Sequence, residues 1–573
     1  FDLVIRNATI VDGSGKPSFK SDVGVKGDKL AYLGPKASKG YREINAENLL
    51  LLPGWVDIHT HYDGQATWDK YLSPSCWHGV TTAVMGNCGV GFAPANPAKR
   101  DWLIGLMEGV EDIPGSALAE GIKWEWETFP EYLDALDSQP RAMDLAAQVP
   151  HGPVRAYVMG ESGAQDVCAN EQQMDAMAKI VKEAILSGAL GFTTSRTVLH
   201  RSIDGEVVPG TSADALELLT IAKAMGSVGR PVFEVASDLA PESEELGWME
   251  DIIKTGCKVT YACVQNDLDP SQWRRLLSHA KNYPGQVHPQ VAIRPPGILM
   301  CLEGTHPFSG RNTYKAFSHM PLKNRLDRLK DPEVRKAILG EATSKVSSLL
   351  RLLFIEGKEI CSTISDYNRI FVLNDPPEYE PDSSMSVAAM AKTAGCTAEE
   401  MVYDLLLEKE GKAFLYSPLF NYNSGNYDDA RTMMLDPNTI VGISDGGAHC
   451  GMICDASAPT YLLQHFVRDR ERGPRIGLEQ AVRLQTYDTS RLYGLSDRGL
   501  IKEGMRADIN LVDFDKLKLS IPEMVFDLPA SGRRLIQKAA GYQATFVAGQ
   551  MTFENGESTG ALPGRLVRGS RNI

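Results

Sequence analysis

Residues 51–94 read LLPGWVDIHTHYDGQATWDKYLSPSCWHGVTTAVMGNCGVGFAP. In this stretch an apolar run, typical of a buried strand, leads directly into His59 and His61. Side chains two positions apart on a β-strand point to the same face, so both imidazoles can reach one metal ion. A second apolar run over residues 80–85 leads to Cys88, a soft thiolate ligand between glycines. The sequence therefore predicts two strands that end at a metal site; a packed histidine pair and a buried cysteine are the alternatives.

Strand-like and helix-like runs alternate across residues 56–496. The strand candidates after the first are residues 80–85, 144–149, 191–194, 231–236, 258–264, 287–293 and 440–443. Helical stretches lie between them, for example residues 170–187, 213–225 and 386–394. This alternation indicates a parallel sheet with right-handed crossovers, and about eight strands favour a (β/α)8 TIM-type barrel in the α/β class. The span exceeds a minimal barrel of roughly 250 residues, so we expect an insertion, placed at about residues 267–380.

Both ends of the chain carry short strand-like runs separated by glycine and aspartate turns. The N-terminal set is too small to bury a sheet face alone, and the C-terminal stretch supplies matching strands. We therefore expect one small β-sandwich domain, built from residues 1–55 and 497–573, beside the barrel of residues 56–496.

The bulk composition excludes several classes of function. The net charge of −14, from 59 basic and 73 acidic residues, argues against nucleic acid or an anionic membrane as a partner. No apolar run is long enough to span a bilayer. Ten cysteines without regular spacing are typical of reduced thiols, so we expect a cytoplasmic protein. A small molecule is the expected partner, and the oligomeric state stays open, with a homo-oligomer among the expectations.

A carboxylate follows the last strand candidate. Asp445 lies where the apolar run 440–443 breaks into glycines. A carboxylate at a strand end can bind a metal and can take a proton from water. The alternative for Asp445 is an Asx turn or a helix N-cap, which its Asp-Gly context also suits.

These stretches resemble the N-acyl-D-amino-acid deacylase (D-aminoacylase) branch of the amidohydrolase superfamily. The resemblance rests first on PGWVDIHTHYD and GVTTAVMGNCGVGFAP, with GNCG as the most specific part. It continues at HGPVRAYVMG (151–160), GALGFTTSRT (188–197), VGISDGGAH (441–449) and GLIKEGMRADINLVD (499–513). The resemblance implies the same barrel and β-sandwich, and hydrolysis of an amide by metal-activated water with Asp445 as the base.

The metal site departs from the pattern of that branch. D-aminoacylases carry histidines at the ends of strands five and six, where this chain has Glu234 and Cys263 on its strand candidates. We therefore expect one Zn²⁺ held by His59, His61, Cys88 and Asp445, and a second site is in doubt. Cys263 is a further candidate ligand, with an inert buried thiol as the alternative, and Glu234 could also replace a ligand or pair with a cation.

Four further residues are candidates for substrate binding. Arg196 and Arg294 each follow a strand, and arginine suits a substrate carboxylate; a structural salt bridge is the alternative for each. His151 could contact substrate or an oxyanion, and His449 could orient Asp445 or only cap its loop.

The expected substrate is an N-acyl amino acid, with the D configuration left open, or a related amide. A cyclic-amide or other carbon–nitrogen hydrolase and a non-catalytic, metal-poor assembly protein are the competing functions.

Overall fold

The computed structural model describes residues 1–165, 167–341, 354–355, 358–359 and 366–569. Its strands, numbered in chain order, are β1 (Leu3–Ile10), β2 (Phe19–Lys26), β3 (Lys29–Gly34), β4 (Arg42–Asn45), β5 (Leu50–Pro53), β6 (Trp55–Asp57), β7 (Val80–Met85), β8 (Asp144–Ala147), β9 (Val149–Pro150), β10 (Gly191–Arg196), β11 (Val232–Ser237), β12 (Lys258–Ala262), β13 (Val287–Ala292), β14 (Gly297–Met300), β15 (Phe354–Ile355), β16 (Lys358–Glu359), β17 (Phe371–Val372), β18 (Leu415–Pro418), β19 (Ile440–Gly442), β20 (Ile509–Val512), β21 (Lys518–Leu519), β22 (Glu523–Leu528), β23 (Gly532–Ile536), β24 (Ala539–Ala540), β25 (Tyr542–Val547), β26 (Gln550–Glu554) and β27 (Glu557–Ser558).

The α-helices alternate with these strands. They are Arg100–Glu111, Gly115–Gly121, Phe129–Asp137, His151–Met159, Glu161–Ala164, Glu171–Ser187, Ala215–Gly226, Glu242–Lys254, Gln272–Ala280, Asn312–Lys315, Leu322–Leu329, Pro332–Gly340, Val387–Ala394, Ala398–Gly411, Asp428–Met434, Ala458–Tyr461, Leu478–Arg483 and Thr489–Leu492. Two π-helical segments follow the last barrel strand, at Leu462–Asp469 and Leu484–Asp488. Short 3-10 turns lie at Gln65–Thr67, Ser75–His78, Pro97–Lys99, Tyr367–Arg369, Ser383–Met385, Asp455–Ser457 and Pro529–Ser531. None of the helices within the described ranges has both the length and the apolar composition needed to cross a lipid bilayer.

Parallel strands form the centre of the molecule. One sheet has the order β6-β7-β8 and the other has the order β19-β13-β12-β11-β10-β9. With β8 and β9 counted as one interrupted strand, these are the eight strands of the predicted (β/α)8 barrel. Two hydrogen bonds join the last strand end to the first: the His61 amide donates to the Gly446 carbonyl at 2.8 Å, and the Asp445 amide donates to the His59 carbonyl at 3.1 Å.

Local sequence explains the barrel elements. Every residue of β7 is buried, as expected for a strand covered on both faces. Its bounds, Val80 and Met85, are those of the predicted run. The helix Glu171–Ser187 begins with a capping box, in which Asn170 and Gln173 each accept a hydrogen bond from the other's backbone amide. It ends at Gly188, whose φ of 118° is left-handed and favours glycine.

The two chain termini build one sheet together, as predicted. Its order is β27-β26-β25-β20-β5-β1-β2-β3, with β4 beside β1. β20 from the C-terminal part pairs antiparallel with β5 from the N-terminal part, which places Ile509 opposite Pro53. Apolar residues from both parts share one core, including Ile5, Val23 and Phe546.

The insertion does not begin where the sequence suggested. β13 lies between β12 and β19, so the first part of the expected insertion at residues 267–380 belongs to the barrel. The segment outside the barrel starts with β14, which forms a three-stranded antiparallel sheet with β18 and β17. It has its own apolar core, which includes Ile298 and Val402. Residues 342–353, 356–357 and 360–365 of the expected insertion lie outside the described residues.

Glu380 ties this segment to the part of the chain that follows the barrel. Its carboxylate accepts hydrogen bonds from Arg470 at 2.8 and 2.9 Å and is 2.7 Å from Nε2 of His465. Burial alone would raise the pKa of Glu380, but the hydrogen bonds from His465 and Arg470 outweigh burial and lower it to about 2.

Candidate metal centre and cavity

The residues singled out in the sequence for metal binding meet at the carboxyl end of the barrel. His59 and His61 follow β6, Cys88 follows β7, and Asp445 follows β19. All four are buried or nearly so: His61 is 1% exposed, and even the Asp445 side chain is only 12% exposed. The parallel barrel accounts for the meeting, because its strands all end at this face.

The donor atoms are spaced as one small cation requires. Nε2 of His59 lies 3.4 Å from Sγ of Cys88 and 3.4 Å from Oδ1 of Asp445. The same Asp445 oxygen is 3.6 Å from Nε2 of His61. Ligand atoms around a tetrahedral Zn²⁺ are roughly 3.3 to 3.8 Å apart, given bond lengths of about 2.0 to 2.3 Å. Donor atoms of His59, His61 and Cys88 also lie within 4.8 Å of one another. The nitrogen, sulfur and oxygen donors fit Zn²⁺ in distance and in chemistry.

A partner on the far side of each imidazole fixes its direction. Nδ1 of His59 lies 3.0 Å from the amide oxygen of Gln290 and 3.4 Å from Oε1 of Glu234. Nδ1 of His61 lies 3.3 Å from Oε1 of Glu111. Both Nε2 atoms are thereby left facing Cys88 and Asp445, as in metal sites where a carboxylate or amide orients the histidine ligand.

Burial shifts the pKa values of the ionisable side chains in this cluster. It raises the pKa of Glu111 and of the Cys88 thiol well above their usual values, and it lowers the pKa of His61 to about 4. Burial would also raise the pKa of Asp445, but the adjacent His61 imidazole and the charges of His59 and His449 hold it well below its usual value. Both ring nitrogens of His61 lack a hydrogen bond of good geometry with any described residue. Orphaned buried donors next to carboxylates are the features expected of ligands to a cation.

The backbone at the site adopts conformations that side chains disfavour. Cys88, Ile443, Asp445 and His449 have φ values of 57°, 55°, 48° and 53°. Such left-handed residues cluster at functional sites, where the surrounding structure holds them. Gly89 is required beside Cys88, because a Cβ there would lie 2.7 Å from the backbone nitrogen of Ser195.

A cavity of about 520 Å³ opens above the donors. His59, His61, Cys88 and Asp445 form part of its floor. Its walls are largely apolar, with Val235, Leu239, Ile298, Leu419, Phe420 and Met452 among the lining residues. A cavity of this size, with a few polar groups at one end, is suited to a small organic ligand.

Cys263 is not placed with the metal ligands. Its neighbours Ala262 and Val264 line the cavity, so the intervening side chain points the other way, as alternation along a strand requires. Sγ of Cys263 is buried 3.9 Å from the sulfur of Met433. The structure therefore favours the inert-thiol alternative for Cys263.

Both candidate substrate arginines are paired with buried carboxylates and do not line the cavity. Nε of Arg196 donates to Glu245 at 2.8 Å. Arg294 is 2% exposed and donates from Nε to Asp455 at 3.1 Å. This geometry favours the salt-bridge alternative for each arginine and leaves neither free for a substrate carboxylate.

The two candidate histidines have different surroundings. His151 is fully buried outside the cavity lining, 2.8 Å from Glu217 and 2.8 Å from Thr194. His449 lines the cavity, and its Nε2 lies 3.8 Å from Oδ2 of Asp445 and 3.7 Å from Oε2 of Glu111. Its position agrees with orientation of Asp445, whereas that of His151 does not agree with a substrate contact.

Sequence reasoning missed Glu111 and Gln290. Glu111 is the last residue of a helix, Arg100–Glu111, whose spacing shows only an ordinary amphipathic pattern. Gln290 was detectable in principle, as a polar residue inside the buried strand β13. Glu234 had been weighed as a replacement ligand, and it lies instead on the Nδ1 side of His59.

Comparison with known proteins gives the family. The model of the amidohydrolase family matches residues 42–359 and 383–553. D-aminoacylase from Alcaligenes xylosoxydans xylosoxydans is 34% identical over 198 residues, which are 34% of this chain and 37% of that protein. N-acyl-D-aspartate deacylase from the same organism is 24% identical over 575 residues, covering 99% of this chain and 95% of that protein.

Solved structures share the fold. N-acyl-D-glutamate deacylase from Bordetella bronchiseptica, complexed with zinc and a phosphonate inhibitor, has a TM-score of 0.62 at 21% identity and 99% coverage of both chains. A D-aminoacylase mutant in complex with copper chloride has a TM-score of 0.65 at 21% identity, covering 99% of this chain and 100% of that one. The family model spans most of the barrel and both parts of the terminal sheet, and this chain belongs to the amidohydrolase family.

Proposed function

We propose that this protein is a metal-dependent hydrolase that cleaves the amide bond of an N-acyl amino acid or a related amide. The observation that carries the proposal is the close spacing of four donor side chains at the floor of the cavity. Nε2 of His59 lies 3.4 Å from Sγ of Cys88 and 3.4 Å from Oδ1 of Asp445, and the same Asp445 oxygen lies 3.6 Å from Nε2 of His61. The family match and the names of the deacylase relatives support amide hydrolysis as the reaction.

We propose a single Zn²⁺, held by His59, His61, Cys88 and Asp445. Glu234 and Cys263 stand near where related enzymes carry strand-end histidines, but Glu234 faces Nδ1 of His59 and Cys263 packs against a methionine. When bound, the ion supplies Lewis-acid polarisation of the amide carbonyl and acidifies a nearby water.

Asp445 is the proposed base. One of its oxygens faces the two histidines, and the other faces His449 at 3.8 Å. Because Asp445 lines the cavity, its carboxylate can take the proton of an attacking water and return it to the leaving nitrogen.

Replacing Asp445 by Asn tests this role. Asp445→Asn should retain zinc through the three remaining donors and should lose about 100-fold or more in kcat, the range of a general base. Asp436→Asn, which lies before β19 at the other end of the barrel, is the control and should keep both the zinc content and the kcat of the wild type. Zinc content by mass spectrometry and release of acetate from N-acetyl-D- and N-acetyl-L-amino acids and their amides are the measurements. Near wild-type turnover in Asp445→Asn would remove Asp445 as the base, and no hydrolysis of any substrate would overturn the proposed reaction.

A further inference from the structure

The charged groups that line the cavity are almost all acidic. Five carboxylates contribute to its surface, and they are Glu111, Glu234, Asp238, Asp269 and Asp445. No lysine or arginine lines it among the residues that the structure describes. A substrate carboxylate that entered would therefore find no guanidinium or ammonium partner among these lining residues.

The nearby arginines do not change this balance. Arg196 and Arg294 are held by buried carboxylates outside the lining. Arg275, on the helix that flanks the mouth, pairs with Asp269 at 2.6 Å and with Glu242 at 2.7 Å. Each of these cations already has an acidic partner, so recruitment to a substrate would break an existing ion pair.

The cavity histidines do not supply a free positive charge either. His200 hydrogen bonds with Oγ of Ser195 at 3.0 Å, and burial lowers its pKa to about 3, so it is neutral at pH 7. His449 lies between the carboxylates of Glu111 and Asp445. A divalent cation would have its charge matched by the Cys88 thiolate and the Asp445 carboxylate.

The inserted segment makes one cavity wall apolar. Pro296 immediately precedes β14, Ile298 lies within it, and Leu419 and Phe420 follow β18. All four residues line the cavity. Val235 and Leu239, from the barrel, add to this apolar lining. Burial of an apolar group against this lining is favourable, whereas an unpaired carboxylate would be desolvated at a large cost.

We propose that the substrate presents an uncharged, apolar group to this cavity, so that neutral lipophilic amides are hydrolysed in preference to N-acyl amino acids with a free carboxylate. This inference rests on the proposed amide hydrolysis and names its substrate class. In the reaction, the oxygen of water bonds to the acyl carbon, the carbon–nitrogen bond breaks, and the nitrogen takes a proton. The products are a carboxylic acid and an uncharged or protonated amine.

A matched pair of substrates tests the proposal on the full chain loaded with zinc. N-acetyl-D-phenylalanine and its primary amide differ only in the carboxylate, and their L forms are run alongside. Release of acetate at pH 7.5 should give a kcat/KM at least tenfold higher for the amide than for the acid. A kcat/KM for the acid that equals or exceeds that of the amide would overturn the inference while leaving the proposed function intact. No acetate from any of the four compounds would instead count against the proposed function.

Variants at the mouth test whether charge is the cause. Leu268 lines the cavity and is 53% exposed, so Leu268→Arg can place a cation there without disturbing the core. It should raise the ratio of kcat/KM for the acid to that for the amide at least fivefold, whereas Leu216→Arg, at a 58% exposed position outside the lining, should leave both values unchanged. Equal changes on both substrates would contradict the inference. Lys345 and Arg351 lie outside the described residues. Their replacement by Ala should not lower activity on the acid selectively, and a selective loss would overturn the inference.

Discussion

Replacing Arg294 by Met should destabilise the protein and leave its substrate preference unchanged. The Arg294 guanidinium is 2% exposed and donates to Asp455, to Oγ of Ser457 at 3.0 Å and to the side-chain oxygen of Gln537 at 3.1 Å. It also stacks 4.1 Å from the ring of Tyr379. Removal of one partner leaves a buried carboxylate without its counter-charge, which costs about 3 to 5 kcal/mol. The Met side chain fills most of the volume, so the charge dominates the loss.

The assay is urea unfolding followed by tryptophan fluorescence, with the free energy of unfolding compared between variants. Arg294→Lys is the matched control, because it keeps the charge and loses the planar fork, and it should lose less than Arg294→Met. The double variant Arg294→Met, Asp455→Leu should recover much of the loss, since an apolar pair can replace a buried ion pair at little cost. The ratio of kcat/KM between the carboxylate and amide substrates should match the wild type in every folded variant.

The opposite pattern would refute this reasoning. If Arg294→Met unfolds at the wild-type urea concentration and raises KM for the carboxylate substrate alone, Arg294 binds substrate and is not a structural residue. Failure of the double variant to recover stability would show that the hydrogen bonds of Arg294, and not its pairing with Asp455, carry the stabilisation.

Three further predictions concern the metal centre and acid stability. Cys88→Ala should lower zinc affinity more than about 100-fold, whereas Cys263→Ala should keep zinc and cost only about 1 kcal/mol of stability; equal zinc loss in both would contradict the ligand assignment. Glu111→Leu should lower zinc affinity about 10- to 100-fold by releasing the histidine that it orients, and Glu108→Gln on the same helix should not, as measured by competition with a chelator. The Glu380 carboxyl has a pKa of about 2 against an ordinary 4.5, so it should add roughly 3 kcal/mol to the free energy of unfolding. This contribution is fully present above pH 4.5 and is lost as the pH falls towards 2. Glu380→Gln should flatten the acid limb of the stability curve, and an unchanged limb would count against this ion pair.

Much of the barrel was predictable because its strands are short, largely apolar runs, such as β7 between Gly79 and Gly86. β7 has the predicted extent, and β13 differs from its predicted run by one residue at its end. The insertion was placed at about residues 267–380 because that range is rich in proline, arginine and lysine, but the range includes β13, which pairs with β12 and β19 in the barrel. The strands of the inserted sheet, such as β17 with two residues, are too short to give a periodic signal.

The hydrolase class was predictable from motifs, and the family match confirms it. The roles of Arg196 and Arg294 were not predictable from motifs. The sequence around a strand-end arginine does not distinguish one that binds a substrate from one that pairs with a carboxylate of its own chain. Glu245 and Asp455, which decide the matter, are 49 and 161 residues away in sequence.

Spacing along one strand is a local property, so the sequence alone predicted that His59 and His61 share a face, and it predicted that Cys88 and Asp445 each follow a strand. It also predicted that two sets of short strands, more than 450 residues apart, build one small domain, and the pairing of Ile509 with Pro53 joins the two sets in one sheet. The folded structure was needed to show which face of a strand meets the cavity, as with Cys263, and which buried charge is already paired. Those outcomes depend on distances between side chains remote in sequence, and electrostatic and packing energies follow distance in space and not position along the chain.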